Sequence, residues 1–201
     1  MAGLVYRPIP EPPTWAAGCK SEGESFGNLD LQVPPNSKGF LTTNGSISPF
    51  LASLIKELDF ERVKSGGAGN KMMMVLEGKG QCYIQDRGVS RWDTCAAQAV
   101  LEAQGGVLAK LSPFVENMKL ESYTYRKSTT NLDFVPGQAN LTPYNSPLGK
   151  NAKGPADDIS KVKPYSNLCG LIAIDKAGLS EVKKYHDAIQ RARKESDLAY
   201  D

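Results

Sequence analysis

The sequence predicts an α/β protein, a sheet covered by helices, and three observations carry the prediction. Short β-rich runs such as Gly80 to Gln85 and Gly170 to Asp175 alternate along the chain with amphipathic helical segments. A glycine-rich stretch, Ser65-Gly66-Gly67-Ala68-Gly69-Asn70-Lys71, fits a tight turn opening a helix whose free N–H groups can meet an anion. Finally, 201 residues with 40% apolar and 23% charged side chains suffice for one domain with a good core.

Taken in order, residues 3 to 6 read as a short strand, and Pro8, Pro10, Pro12 and Pro13 then impose an extended loop. Phe26 to Val33 alternates as a half-buried strand, Pro34 to Ser37 is a turn, and Gly39 to Thr43 is a second strand. Ser48 with Pro49 behind it is a helix start, and Phe50, Leu51, Leu54, Ile55 and Leu58 form its apolar face. Phe60 to Lys64 is a strand leading into the glycine turn. Asp93 sits at the mouth of another helix, before a small-residue face at Cys95, Ala96, Ala99, Val100 and Ala103. Residues 112 to 165, rich in Pro, Asn, Gly, Ser and Lys, read as a long irregular excursion, with a hairpin near Ser122 to Arg126. Gly170 to Asp175 is a buried strand. Ser180 caps a closing helix whose face is Val182, Tyr185, Ile189 and Ala192, with Asp187 and Arg191 spaced for an i,i+4 pair. The chain thus divides into a core over 1–111, an insert over 112–165, and a closing strand and helix over 166–201.

A net charge of +2 favours neither a nucleic acid nor a membrane partner, and no apolar run reaches the ~18 residues of a membrane helix. Met1 to Pro8 lacks the apolar core of a signal peptide. The four cysteines, Cys19, Cys82, Cys95 and Cys169, show neither a CxxC pair nor a disulfide rhythm. Cys82 and Cys95 read as buried free thiols of a reducing compartment. The expected location is cytoplasmic.

Trp92-Asp93-Thr94-Cys95-Ala96, together with Gly66-Gly67-Ala68-Gly69-Asn70-Lys71 upstream, resembles the C-terminal half of the inositol monophosphatase superfamily. The resemblance is nearest to the 3'(2'),5'-bisphosphate nucleotidases and the inositol polyphosphate 1-phosphatases. It implies a mixed sheet between helix layers, the C-terminal half of an αβαβα sandwich. It also implies a Mg²⁺-dependent, lithium-sensitive phosphomonoesterase acting on a small phosphorylated metabolite, an adenosine bisphosphate or an inositol polyphosphate.

By that resemblance Asp93 is a metal ligand, and an oxygen donor suits a hard cation; the competing reading is a helix cap. Gly67 and Lys71 match residues that lie against the nucleotide in the nucleotidases, the alternative being a tight turn with a solvated lysine. Asn44 stands where those enzymes place a substrate-touching threonine. Three residues on they carry a histidine, and this chain has Ile47, which cannot donate a hydrogen bond. The departure leaves room for an inositol polyphosphate. The stretch Tyr165-Ser166-Asn167-Leu168-Cys169-Gly170 also leans that way. His186, the single histidine, reads as a surface residue, so a catalytic triad or zinc site lacks support. Asp157 and Asp158 read as solvated.

The resemblance further implies an N-terminal half with a Glu-Glu pair and an Asp-Pro-(Ile/Leu)-Asp-Gly-(Thr/Ser) run that hold the metals. No aspartate here precedes a proline and no two glutamates adjoin. A two-metal phosphatase holds its cations about 3.5–4 Å apart, which one carboxylate cannot do. The expectations are therefore no catalytic residue in this chain, no phosphate ester hydrolysis by it alone, and one side or edge of the sheet layer left uncovered. A non-catalytic role, binding a partner or an anion, is the competing expectation.

Overall fold

The computed structural model describes residues 1–31, 38–86, 89–123, 125 and 170–196. The Pro34–Ser37 turn, Cys169, Asp157 and Asp158, and most of the 112–165 excursion lie outside them. The strands are β1 (Ala2–Arg7), β2 (Thr14–Cys19), β3 (Glu24–Gly27), β4 (Gly39–Thr42), β5 (Glu61–Lys64), β6 (Cys82–Gln85), β7 (Val107–Lys110) and β8 (Leu171–Ile174). The helices are α1 (Pro49–Leu58), α2 (Ala68–Leu76), α3 (Cys95–Ala103), α4 (Leu111–Asn117) and α5 (Val182–Glu195).

Strands β5-β4-β6-β8-β7 form one sheet, parallel between β5, β4 and β6 and antiparallel between β6, β8 and β7. The sheet is mixed, as expected. Alternation sorts its side chains onto two faces. Phe40, Cys82, Ile84, Ala109, Ile172 and Ile174 meet α1, α4 and α5 through Phe50, Leu54, Phe114, Tyr185 and Ile189. Leu41, Tyr83, Leu108, Leu171 and Ala173 meet α2 and α3 through Met72, Met73, Val100 and Leu101. Both faces are dry.

The second sheet, β1-β2-β3, is antiparallel and lies on the far side of α3. Here the small-residue face of α3 has its use. A Cβ added at Gly3 would lie 2.3 Å from the Ala96 carbonyl oxygen, and one at Gly18 would lie 2.8 Å from the Val100 Cα. Glycine opposite alanine lets strand and helix backbones touch. The layers among the described residues therefore run helix, sheet, helix, sheet, with β1–β3 outermost.

An ion pair ties the outer sheet to α2. Arg7 on β1 forks onto Glu77, with Nη1 donating to Oε2 at 2.9 Å and Nη2 to Oε1, while Lys79 reaches Oε2 at 2.9 Å. Burial pushes the Glu77 carboxyl up, but the hydrogen bonds from Arg7 and Lys79 outweigh it and hold it below the usual range.

Several elements differ from expectation. β3 stops at Gly27 rather than running to Val33, because the Asn28 side chain accepts from Trp15 N at 2.7 Å and donates to Pro13 O at 2.9 Å. The excursion begins with α4, and Ser122 bridges Ala109 of β7. Ser180 does not cap α5: it lies in a 3₁₀ turn, Gly178–Glu181, where its hydroxyl donates to Ala177 O. Asp187 pairs with Lys183, and Arg191 with Glu57 of α1. His186 is half-buried, edge-on to Phe114, with Nε2 3.1 Å from Val115 O. Cys82 is buried and free, whereas Cys95 is free and half-buried.

Candidate functional site

Parallel strands β5, β4 and β6 all end at the same side of the sheet, and open α/β sheets bind ligands outside those carboxyl ends. After β5 the chain turns through Gly67, whose φ of 69° favours glycine, into α2. After β4 come Thr42 to Ser48 and α1. Beyond β6 lie Asp86 and, further on, the 3₁₀ turn Arg91–Asp93. These three chain ends enclose a cleft of about 410 Å³.

The sequence-predicted Gly67, Lys71 and Asp93 all line this cleft, with Thr42, Thr43, Ile47, Ser48, Gln85 and Asp86. Lys71 is not the solvated lysine of the alternative reading: only 3% of it is exposed. Its ammonium donates to Gly67 O at 3.1 Å and Ser65 O at 3.3 Å and lies 4.8 Å from the centre of the Tyr83 ring. Burial without a carboxylate contact lowers its pKa to about 8, so at neutral pH it is a cation poorly compensated by its surroundings.

Asp93 is exposed, and its Oδ2 accepts from Ser90 N at 2.9 Å, closing a capping box on the 3₁₀ turn. It caps that turn rather than α3, whose N-cap is Thr94. One carboxylate oxygen is thus engaged locally, and the other is available to the cleft. Asn44 is exposed and is not among the lining residues. Its amide lies beside the glycine turn, since a Cβ on Gly66 would approach Asn44 Nδ2 to 3.4 Å. The loop carrying it is braced by Arg62, which donates to Thr42 Oγ1 at 2.8 Å, Thr43 O at 2.9 Å and Gly45 O.

With this geometry in view, comparison places the fold. Residues 1–130 match the profile of the Inositol monophosphatase family. The chain belongs to that family. It is 37% identical over 90 residues to 3'(2'),5'-bisphosphate nucleotidase 1 of Mus musculus, covering 43% of this chain and 29% of that protein. It is 31% identical over 98 residues to 3'(2'),5'-bisphosphate nucleotidase CysQ of Aggregatibacter actinomycetemcomitans, covering 49% and 35%. The chain thus spans about a third of these relatives. The crystal structure of 2'AMP-bound SaIMPase-II matches 96% of this chain and 61% of its own with TM-score 0.52 at 15% identity, a likeness of fold.

In this family member Asp86 escapes the sequence reading, and Ser48, expected only as a helix start, also lines the cleft. Asp86, fully buried, accepts a hydrogen bond from Ser48 Oγ, whose oxygen also accepts Leu51 N at 3.1 Å. Ser48 is therefore both the α1 cap and a wall of the cleft. The available signal was an acidic residue directly after the strand Cys82-Tyr83-Ile84-Gln85. Asp86 and Asp93 suit a hard cation by donor type. Among the described residues, however, no three acids, histidines or cysteines gather into a metal-holding group. These residues alone do not make a magnesium centre. No described helix is long and apolar enough to cross a membrane.

Proposed function

We propose that this chain forms the substrate-side wall of a Mg²⁺-dependent, lithium-sensitive phosphomonoesterase for a small bisphosphorylated metabolite, and that it is inactive alone. The observation that carries this reading is the convergence of Gly67, Lys71 and Asp93 on one cleft. The Lys71 ammonium and the N-terminus of α2 favour an anionic group, while Asp93 offers one oxygen to a cation. Gly67 keeps the turn open to a ligand, and Asn44 borders the mouth. Adenosine bisphosphate is the preferred ligand and the cytoplasm the preferred location.

Ile47 favours a second reading. It lines the cleft where the nucleotidases carry a histidine, which supports an inositol polyphosphate. Calorimetric titration with adenosine 3',5'-bisphosphate and inositol 1,4-bisphosphate, paired with a phosphate-release assay in Mg²⁺, separates these readings. The expected result is preferential binding of the adenosine compound without turnover. Preference for the inositol compound would install the second reading. Binding of neither would sink the cleft as a substrate wall, and Mg²⁺-dependent turnover by the chain alone would sink its proposed inactivity.

A further inference from the structure

Asn70 belongs to the glycine-rich stretch, yet it does not line the cleft. Half-buried in the first turn of α2, it stands between two other elements. Arg7 of β1 donates from Nη1 to Asn70 Oδ1 at 3.3 Å. A guanidinium has no acceptor, so the amide must turn its oxygen to Arg7 and its NH2 the other way. There Nδ2 donates to Ser65 Oγ at 2.8 Å and to Gly66 O at 3.4 Å. The guanidinium is itself fixed, by Thr14 Oγ1 at 2.8 Å and by its fork onto Glu77.

Ser65 and Gly66 begin the turn that ends at Gly67. Gly66 and Gly67 are exposed, and glycine loses more conformational freedom on ordering than any other residue. On the strand side the turn is held by Ser65 N, which donates to Thr42 O at 2.9 Å. On the helix side Asn70 ties the start of the turn to α2. The carbonyls of Ser65 and Gly67 are those that accept the Lys71 ammonium, at 3.3 and 3.1 Å. The place of the buried cation therefore depends on where this turn sets two carbonyl oxygens.

We infer that Asn70 is a positioning residue: oriented by Arg7, it fixes the Ser65–Gly67 turn and so holds the Lys71 ammonium at the cleft wall. In its consequence for ligand this rests on the anion-binding reading proposed above. It makes the outer sheet part of the site at one remove, since β1 sets the amide that sets the turn. The titratable group against Lys71 is Tyr83 of β6, whose ring centre lies 4.8 Å away. The acids bordering the cleft, Asp86 and Asp93, come from the chain after β6 and do not take part in this tie.

NMR titration of the Lys71 side chain in the 201-residue chain, from neutral to alkaline pH, tests this without any ligand. The wild-type midpoint is expected at about 8. Asn70→Leu keeps a good helix former but neither accepts nor donates. It and Ser65→Ala should each raise the midpoint toward the ordinary lysine value of ~10.4, because a loosened turn lets water reach the ammonium. The double variant should do no more than either alone, since both remove the same hydrogen bond. Leu76→Ala, which weakens α2 at its far end, should leave the midpoint at about 8. Unmoved midpoints in Asn70→Leu and Ser65→Ala, additive shifts, or an equal shift in Leu76→Ala would overturn the proposal. Calorimetric titration with adenosine 3',5'-bisphosphate separates it from the reading of the cleft. Affinity should fall about tenfold in Asn70→Leu, roughly the worth of one hydrogen bond. A wild type that binds nothing while the midpoints shift as expected would uphold the positioning of Lys71 and sink the cleft as a substrate wall. A wild type that binds, with midpoint and affinity unchanged in both variants, would do the reverse.

Discussion

The two sheets share the α2–α3 layer and differ in what lies on their other side. The five-stranded sheet is closed off by α1, α4 and α5, and both of its faces are dry. The three-stranded sheet has α3 on one face and solvent on the other, yet its open face carries Leu4, Tyr6, Trp15 and Phe26. Exposure and composition agree in the first sheet and disagree in the second. The outer sheet has the side chains of a buried layer without the burial, so its apolar face contributes little to the stability of the fold.

The sharpest way to break this comparison is to substitute a phenylalanine in each sheet. Phe40 is fully buried on β4, and Phe40→Ala should cost about 3–5 kcal/mol. Phe26 is mostly exposed, and Phe26→Ser should stay within about 0.5 kcal/mol. Urea unfolding followed by circular dichroism reads both. Comparable losses would mean that the open face is covered in solution by something that stabilises the fold.

The tie between the sheets comes next. Removing Glu77 leaves the Arg7 guanidinium, well buried, without its counter-ion, and breaking such a pair costs about 3 kcal/mol or more. Hydrogen exchange should show the β1–β3 amides opening first in Glu77→Ala. The pH dependence has a definite sign. Because the folded pKa of Glu77 is depressed, its stabilisation is complete above the unfolded glutamate value near ~4.3 and is lost as pH falls through the folded value. The variant should lack that part of the acid limb. Uniform loosening of both sheets would show that the pair is not a local tie.

What the sequence made legible follows the same division. The inner sheet announces itself, because strands buried on both faces read as apolar runs: Cys82-Tyr83-Ile84 and Leu171-Ile172-Ala173-Ile174 leave little choice. The cap at Ser48 and the turn at Gly67 are local chemistry and are readable for that reason. β2 was missed because Thr14-Trp15-Ala16-Ala17-Gly18-Cys19 follows two prolines and is built of small residues, which only the close approach of α3 explains. β7 is four residues long behind Gly105-Gly106, and α4 carries Pro113 in its first turn, where proline is tolerated but reads as a breaker. In the site, Gly67, Lys71 and Asp93 were legible through a motif, whereas Asp86 meets Ser48 across 38 residues, a contact that no local pattern encodes.

The expected effect on stability at Lys71 is small, and it carries the most information about the cleft. A buried cation without a carboxylate contact favours ligand over fold. Lys71→Met should leave stability unchanged or raise it by about 1 kcal/mol, while abolishing binding of a bisphosphorylated ligand. The wild type should show two opposed pH trends. With the folded pKa lowered to about 8 and the unfolded value near ~10.4, the unfolded chain holds the extra proton between them, so stability rises with pH across that window. Affinity for an anion falls across the same window, because the ammonium that attracts it is being lost. Thermal unfolding and calorimetric titration from pH 7 upward measure both trends, and the methionine variant should show neither. If stability in the wild type instead falls steadily through that range, Lys71 is held as a cation by the fold itself, and its place in the cleft is structural rather than ligand-directed.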